Sequence, residues 1–246
     1  MTDSAPSAIV LTIGTELVLG EIENGNATWL CAALTQLGVS VLAITAVPDD
    51  IDRIADSVRR ASSEADLVVV CGGLGGTPDD VTRLAIARGL DLEVREDPML
   101  AMKLRSARDH TFAFADPWSR LPVGARPLFG AEGGAPGFRV GNVLALPGVP
   151  AEMHAMFNAV RHEIAHGPAL HTWRRTLPTT EHRVLRCLEE LSLFHRSVLC
   201  GSYPRYGGNG AEVEIVLRCS DRGDLEAAAN VVDRFARELR GSGALI

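Results

Sequence analysis

The sequence predicts an α/β protein: a doubly wound, mostly parallel sheet followed by a small α+β domain. Three observations lead there. Strand-like and helix-like segments alternate three times over residues 8–88, which implies right-handed βαβ units. The first and third strand segments are uninterrupted apolar or β-branched runs, as strands buried on both faces must be. After Gly167-Pro168 the pattern changes to β-α-β-β-α, so a boundary is expected there, with domains over 1–168 and 169–246.

Residues 8–13 form the first strand, ended by Gly14. Asn26, a good N-cap, opens a helix through Trp29, Leu30, Ala33, Leu34 and Leu37 that stops at Gly38. Residues 39–47 read as the second strand and 51–65 as the second helix, with Ile51, Ile54, Ala55 and Val58 on one face. The third strand, 66–71, runs into Gly72-Gly73-Leu74-Gly75-Gly76-Thr77-Pro78-Asp79-Asp80, and a helix follows over 81–88. Residues 109–137 carry Pro117, Pro122, Gly124 and Pro127 and read as a long ordered loop or small subdomain. A further strand over 142–147 and a helix over 151–166 complete the first domain. Beyond it, 174–177, 180–191, 198–203, 213–218 and 225–239 alternate as strand, helix, strand, strand and helix.

Composition excludes several classes of function. There are 24 Lys plus Arg against 31 Asp plus Glu, a net charge of −7, so binding of nucleic acid through bulk positive charge is not expected. The only lysine is Lys103, which nearly removes Schiff-base and phosphate-loop lysine chemistry. Cys31, Cys71, Cys187, Cys200 and Cys219 show no CxxC spacing and read as buried free thiols. The N-terminal apolar run is short and lacks a preceding basic segment, so a cytoplasmic protein without a membrane span is expected.

In an open α/β sheet, ligands bind beyond the carboxyl ends of the strands. Here those ends carry Gly14-Thr15-Glu16, Pro48-Asp49-Asp50, and the glycine-rich turn followed by Asp79-Asp80. Glycines let a backbone approach a phosphate, and N–H groups opening a helix hold it. Carboxylates beside a phosphate repel it unless a divalent cation lies between, so the combination points to a phosphorylated ligand with a Mg²⁺-type ion. The plainer alternative is that Asp49, Asp79 and Asp80 are helix caps. His162-Glu163-Ile164-Ala165-His166 matches the HExxH zinc motif, but Gly167-Pro168 follows at once and no third ligand is in place. Gly207-Gly208-Asn209-Gly210 matches the GxxG of RNA-binding KH domains, yet it joins two expected strands, where a hairpin turn is the simpler role.

Taken together, Gly14-Thr15-Glu16-Leu17, Leu19-Gly20-Glu21-Ile22, Asn24, Asn26, the segments 45–49 and 72–82, Gly134-Ala135-Pro136-Gly137-Phe138 and Leu146-Pro147-Gly148-Val149-Pro150-Ala151-Glu152-Met153 resemble the N-terminal half of the competence/damage-inducible protein A (CinA) family. That half is a molybdopterin-binding-like domain of the MoaB and MogA type. The later segment, with Gly201-Ser202-Tyr203-Pro204, is similar to the KH-like middle domain of CinA proteins and to the hydrolase half of eukaryotic FAD synthases. The deamidase domain of full-length CinA proteins has no counterpart in these residues, so its activity on nicotinamide mononucleotide is not expected.

The resemblance implies a metal-dependent nucleotide pyrophosphatase that hydrolyses ADP-ribose or FAD to AMP plus ribose 5-phosphate or FMN, with Mg, Mn or Co. The alternative it implies is a non-catalytic molybdopterin- or nucleotide-binding protein linked to molybdenum cofactor biosynthesis. Asp80 and Asp49 match the family aspartates tied to chemistry; with Glu16 they are the expected metal shell. Gly72, Gly73, Gly75 and Thr77 are expected to cradle phosphate, Gly14, Thr15 and Asn26 to hold a sugar or phosphate oxygen, and Pro147-Gly148 to close the site. The expected partner is a small phosphorylated nucleotide or pterin, and relatives suggest a homo-oligomer. The chain departs from the family pattern at Gly76, where Pro is usual, at Gly130, near which an Asn is usual, and at Trp118-Ser119, where Gln-Ala is usual.

Overall fold

A computed structural model describes residues 5–106, 113–130, 134–207 and 210–241. The chain divides into two compact units, Met1–Gly167 and Pro168–Ile246. The first unit contains β1 (Ser7–Ile13), α1 (Thr15–Val18), α2 (Gly25–Gln36), β2 (Ser40–Val47), α3 (Ile51–Glu64), β3 (Leu67–Cys71), α4 (Thr82–Gly89), β4 (Val94–Glu96), α5 (Pro98–Arg105), α6 (Ala115–Ser119), β5 (Arg120–Pro122), β6 (Arg126–Leu128), β7 (Gly137–Val140), β8 (Val143–Leu146) and α7 (Pro150–Val160). The second contains β9 (His171–Leu177), α8 (Glu181–Phe194), β10 (Leu199–Gly207), β11 (Gly210–Cys219) and α9 (Arg222–Gly241).

The main sheet runs β2-β1-β3-β8-β7-β6. Its first four strands are parallel, and β7 and β6 extend it antiparallel. Side chains alternate across a strand, and β1 shows the consequence for a sheet covered on both sides. Ile9, Leu11 and Ile13 pack with Ile54 and Val58 of α3 and Ala85 and Ile86 of α4. Ala8 and Val10 pack with Leu30 and Leu34 of α2 and Met153, Met156 and Phe157 of α7 on the opposite face. Each fully buried Val, Leu, Ile, Phe or Met side chain among them stabilises the fold by about 1.5–3 kcal/mol before entropy is counted. The doubly wound class is thus observed. In the second unit the sheet β10-β11-β9 is antiparallel, and Val184, Cys187 and Leu191 of α8 join Val213, Ile215, Leu217 and Val232 in its core.

Several expectations need correction. Asn24, not Asn26, caps α2: its Oδ1 accepts from the Ala27 N–H at 3.2 Å. The second strand begins at Ser40, not at 39, and its side chains are largely exposed, unlike those of β1 and β3. Residues 109–137, expected as a long ordered loop or small subdomain, carry regular elements of their own. Outside 107–112 and 131–133, which lie beyond the described residues, they hold α6, β5 and β6, with β5 paired to β4. The strand β7 escaped the sequence pattern because its residues, Gly137-Phe138-Arg139-Val140, are broken by a glycine and an arginine, unlike the all-apolar β8 of the same length. The helix expected over 151–166 ends at Val160, and Arg161–Glu163 form a 3-10 turn. His162 and His166 therefore do not share a helix face, and no group of three His, Cys, Asp or Glu placed to hold a metal occurs among the described residues. Gly208 and Asn209 lie outside the described residues; Gly207 and Gly210 pair across an antiparallel hairpin, unlike a loop between helices. No helix among the described residues is long and apolar enough to cross a membrane.

Candidate active site

The carboxyl ends of β1, β2, β3 and β8 deliver the expected site residues other than Asn26 to one end of the parallel sheet, and Asn26 stands in the first turn of α2. At the end of β1, the Gly14 N–H donates to the Val47 carbonyl at 3.0 Å, tying the turn to β2. Thr15 then binds Asp49 through three contacts. Its N–H and hydroxyl donate to Asp49 Oδ2 at 2.8 and 3.0 Å, and its hydroxyl oxygen accepts the Asp49 N–H at 3.2 Å. The helix after β2 is capped by the next residue: Asp50 Oδ1 accepts the Arg53 N–H at 2.9 Å. Asp49 is therefore not a helix cap.

A similar arrangement stands at the end of β3. Asp80 Oδ2 accepts the Thr77 N–H at 2.9 Å and the Thr77 hydroxyl at 2.5 Å, whereas the cap position of α4 is Val81, with no side-chain capping bond. Neither aspartate serves a helix, and each is fixed through one oxygen by the N–H and O–H of a threonine. The turn before Asp80 needs glycine at Gly73, whose φ of 63° is left-handed and whose Cα lies against the buried Thr82 hydroxyl. The Asp80 carboxylate packs against Gly75 in the space a Cβ would fill. Asp80, Gly75 and Thr77 line a pocket of about 170 Å³ with Arg83, Leu84, Val94, Pro117 and Arg120.

Asn26 is released from capping and bridges elements far apart in sequence. Its Nδ2 donates to the Gly148 carbonyl at 2.7 Å and to Cys71 Sγ at 3.3 Å, and the Cys71 thiol donates to the Pro147 carbonyl at 3.3 Å. The Gly72 N–H donates to the Leu146 carbonyl at 3.1 Å. This web fixes the Pro147-Gly148 turn beside Gly72. Burial pushes the Cys71 thiol up to about 12, so it is a neutral hydrogen-bonding group at physiological pH. Glu16, folded against Gly14, shares a cleft of about 280 Å³ with Asn26, Cys71, Gly72 and Gly148.

Glu16 and Asp80 thus line different pockets, and Asp49, Asp80 and Glu16 do not form a group of three able to hold an ion among the described residues. The donors are hard oxygens of the type magnesium prefers. Their number suits an ion held by one or two carboxylates together with ligand phosphates, which is how magnesium usually binds. Sequence reasoning missed Arg83, which is 5% exposed; a cation in a helix of mostly small and apolar residues gives no pattern by which to find it. It also missed the link among the family departures. Phe114 lies against Gly76, where a Cβ would overlap its ring, and stacks on Trp118 with ring centroids 5.0 Å apart.

Comparison with known proteins bears on the fold and the family. Residues 9–166 match the family model "Probable molybdopterin binding domain" and residues 170–239 match "FAD synthase, middle domain". A CinA-like protein of Frankia casuarinae is 36% identical over 260 residues, covering 96% of this chain and 59% of its own length, so the chain spans well under two thirds of that relative. A protein of Archaeoglobus fulgidus is 35% identical over 229 residues, covering 92% and 95% of the two chains. The crystal structure of the protein CinA from Thermoplasma acidophilum, titled as of unknown function, superimposes with a TM-score of 0.60 at 34% identity, over 65% of this chain and 98% of that one. The fold and the strand-end site define a molybdopterin-binding-type α/β domain. The chain belongs to the CinA-like family.

Proposed function

We propose that this protein is a nucleotide pyrophosphatase that hydrolyses the phosphoanhydride bond of ADP-ribose or FAD, giving AMP plus ribose 5-phosphate or FMN. One observation carries the reading: Asp49 and Asp80, at the ends of strands on either side of β1, are each held by a threonine N–H and O–H and cap no helix. The likeness of the second unit to an FAD synthase middle domain favours a dinucleotide substrate.

In this reading the glycine turn binds the diphosphate through backbone N–H groups, and the Asn26-Cys71 web keeps the Pro147-Gly148 turn in place as the opposite wall. Asp80 orients a water molecule and takes its proton as the water oxygen attacks phosphorus. The bridging P–O bond breaks, and the bridging oxygen leaves with the departing phosphate. Asp49 keeps Thr15 facing the ligand. A divalent cation, held by Asp80 or Asp49 together with the phosphates, would neutralise their charge.

A non-catalytic molybdopterin- or nucleotide-binding protein is the second reading, favoured by the lack of a three-ligand metal group among the described residues. Incubating the purified protein with ADP-ribose, FAD and NAD in the presence of Mg²⁺, Mn²⁺ or Co²⁺ separates the two. Release of AMP is expected; its absence from every mixture would leave the binding reading.

A further inference from the structure

Among the described residues, Arg83 is a buried cation that no carboxylate binds directly. Its guanidinium donates to three backbone carbonyls: Nη1 to Leu74 at 2.7 Å and to Gly75 at 3.3 Å, and Nη2 to Pro136 at 3.1 Å. Its Nε is buried with no partner among the described residues. Burial pushes the group down to about 10, with the charge of nearby Asp80 acting the other way, so it is charged at neutral pH. A lone buried charge is costly, and this one is compensated only by carbonyl dipoles and by Asp80 at a distance.

The carbonyls it holds belong to the glycine turn. In a trans peptide the C=O of one residue and the N–H of the next point in opposite directions, and no peptide bond here is cis. Drawing the Leu74 and Gly75 carbonyls toward Arg83 therefore turns the Gly75 and Gly76 N–H groups away from it. Those two N–H groups have no acceptor among the described residues. Successive N–H groups aimed outward form an anion-binding concavity.

We propose that Arg83 is the positioning residue of the phosphate cradle: from beneath the turn it fixes the Gly75 and Gly76 N–H groups outward and supplies the positive charge behind them. It touches no ligand. The third bond, to Pro136, ties the cradle to the Gly134–Gly137 stretch, so the two family motifs are held by one side chain. The chemical class this selects is a phosphate or diphosphate ester. The inference rests on the hydrolase reading for its substrate, but not for its test.

The test titrates inorganic pyrophosphate into the full ¹⁵N-labelled chain and follows backbone and guanidinium resonances. In the wild-type protein the Gly75 and Gly76 amides and the Arg83 Nε–H are expected to shift saturably. Arg83→Met should bind pyrophosphate at least about tenfold more weakly, the worth of one charge-assisted hydrogen bond, and Arg83→Lys, which keeps the charge without the fork, should fall between. Folded variants that bind within about twofold of wild type would overturn the role. If both variants unfold, the wild-type turn decides alone: no saturable shift of the Gly75 and Gly76 amides on titration overturns it. AMP release without any movement of Gly75 and Gly76 would leave the hydrolase standing and this role refuted. Arg83-dependent pyrophosphate binding without AMP release would do the reverse.

Discussion

Replacing Gly73 by alanine perturbs the turn in two separable ways. The residue sits at φ 63°, a left-handed conformation that costs a residue bearing a Cβ about 1–2 kcal/mol. The new methyl would also overlap the hydroxyl of Thr82 and lie 3.3 Å from its Cβ. Thr82 is fully buried, so it cannot swing aside, and overpacking of this kind costs about 1–3 kcal/mol. The expected loss is about 2–5 kcal/mol. Because the Thr82 hydroxyl is buried without a hydrogen-bond partner among the described residues, Thr82→Ala gives up no hydrogen bond there and opens the space the methyl needs. The double variant Gly73→Ala/Thr82→Ala should recover the overpacking portion and keep the backbone portion, a coupling of about 1–3 kcal/mol. Urea unfolding of the four proteins measures it. A Gly73→Ala loss below about 1 kcal/mol, or strictly additive effects, would refute this account of the turn.

Asp49 and Asp50 should separate cleanly. Asp50→Ala loses the α3 cap and about 1 kcal/mol of unfolding free energy with AMP release unchanged, whereas Asp49→Asn should cut AMP release about a hundredfold or more and cost about 1–3 kcal/mol by weakening the bonds from Thr15. The two asparagines before and within α2 divide in the same way: Asn24→Ala should cost about 1 kcal/mol in urea unfolding, while Asn26→Ala should raise KM for the nucleotide with the helix intact by circular dichroism. The Ser7 hydroxyl and N–H hold the Asp66 carboxyl below its ordinary value. Folding is therefore helped at neutral pH, and the help is lost as pH falls through the depressed folded value. The urea midpoint of wild type should exceed that of Asp66→Asn at pH 7, and the gap should close in acid.

Elements with long apolar runs were legible because burial on both faces leaves a continuous signal, as in Leu67–Cys71. Short elements were not. Val94–Glu96 and Arg120–Pro122 pair with each other, and three residues carry no period. The Asn26 misreading had a specific cause: Asn24 and Asn26 are both good caps, and tertiary bonds decide between them, Asn24 Nδ2 donating to the Thr12 hydroxyl at 2.8 Å while Asn26 Nδ2 is drawn to Gly148 and Cys71. At the site, local motifs located Gly72, Gly73, Gly75, Thr77 and Asp80 without revealing which aspartates were helix caps, since Asp49 and Asp50 differ only in what they face. Arg83 stayed invisible because its partners are carbonyls, which have no residue identity.

The central claim is that Asp80 performs the chemistry at the glycine turn. The most direct measurement compares the rate of AMP release from ADP-ribose by wild type, Asp80→Ala and Asp79→Ala under identical divalent cation. The account predicts a loss of about a hundredfold or more for Asp80→Ala and nearly wild-type turnover for Asp79→Ala. Equal turnover by all three proteins would contradict it.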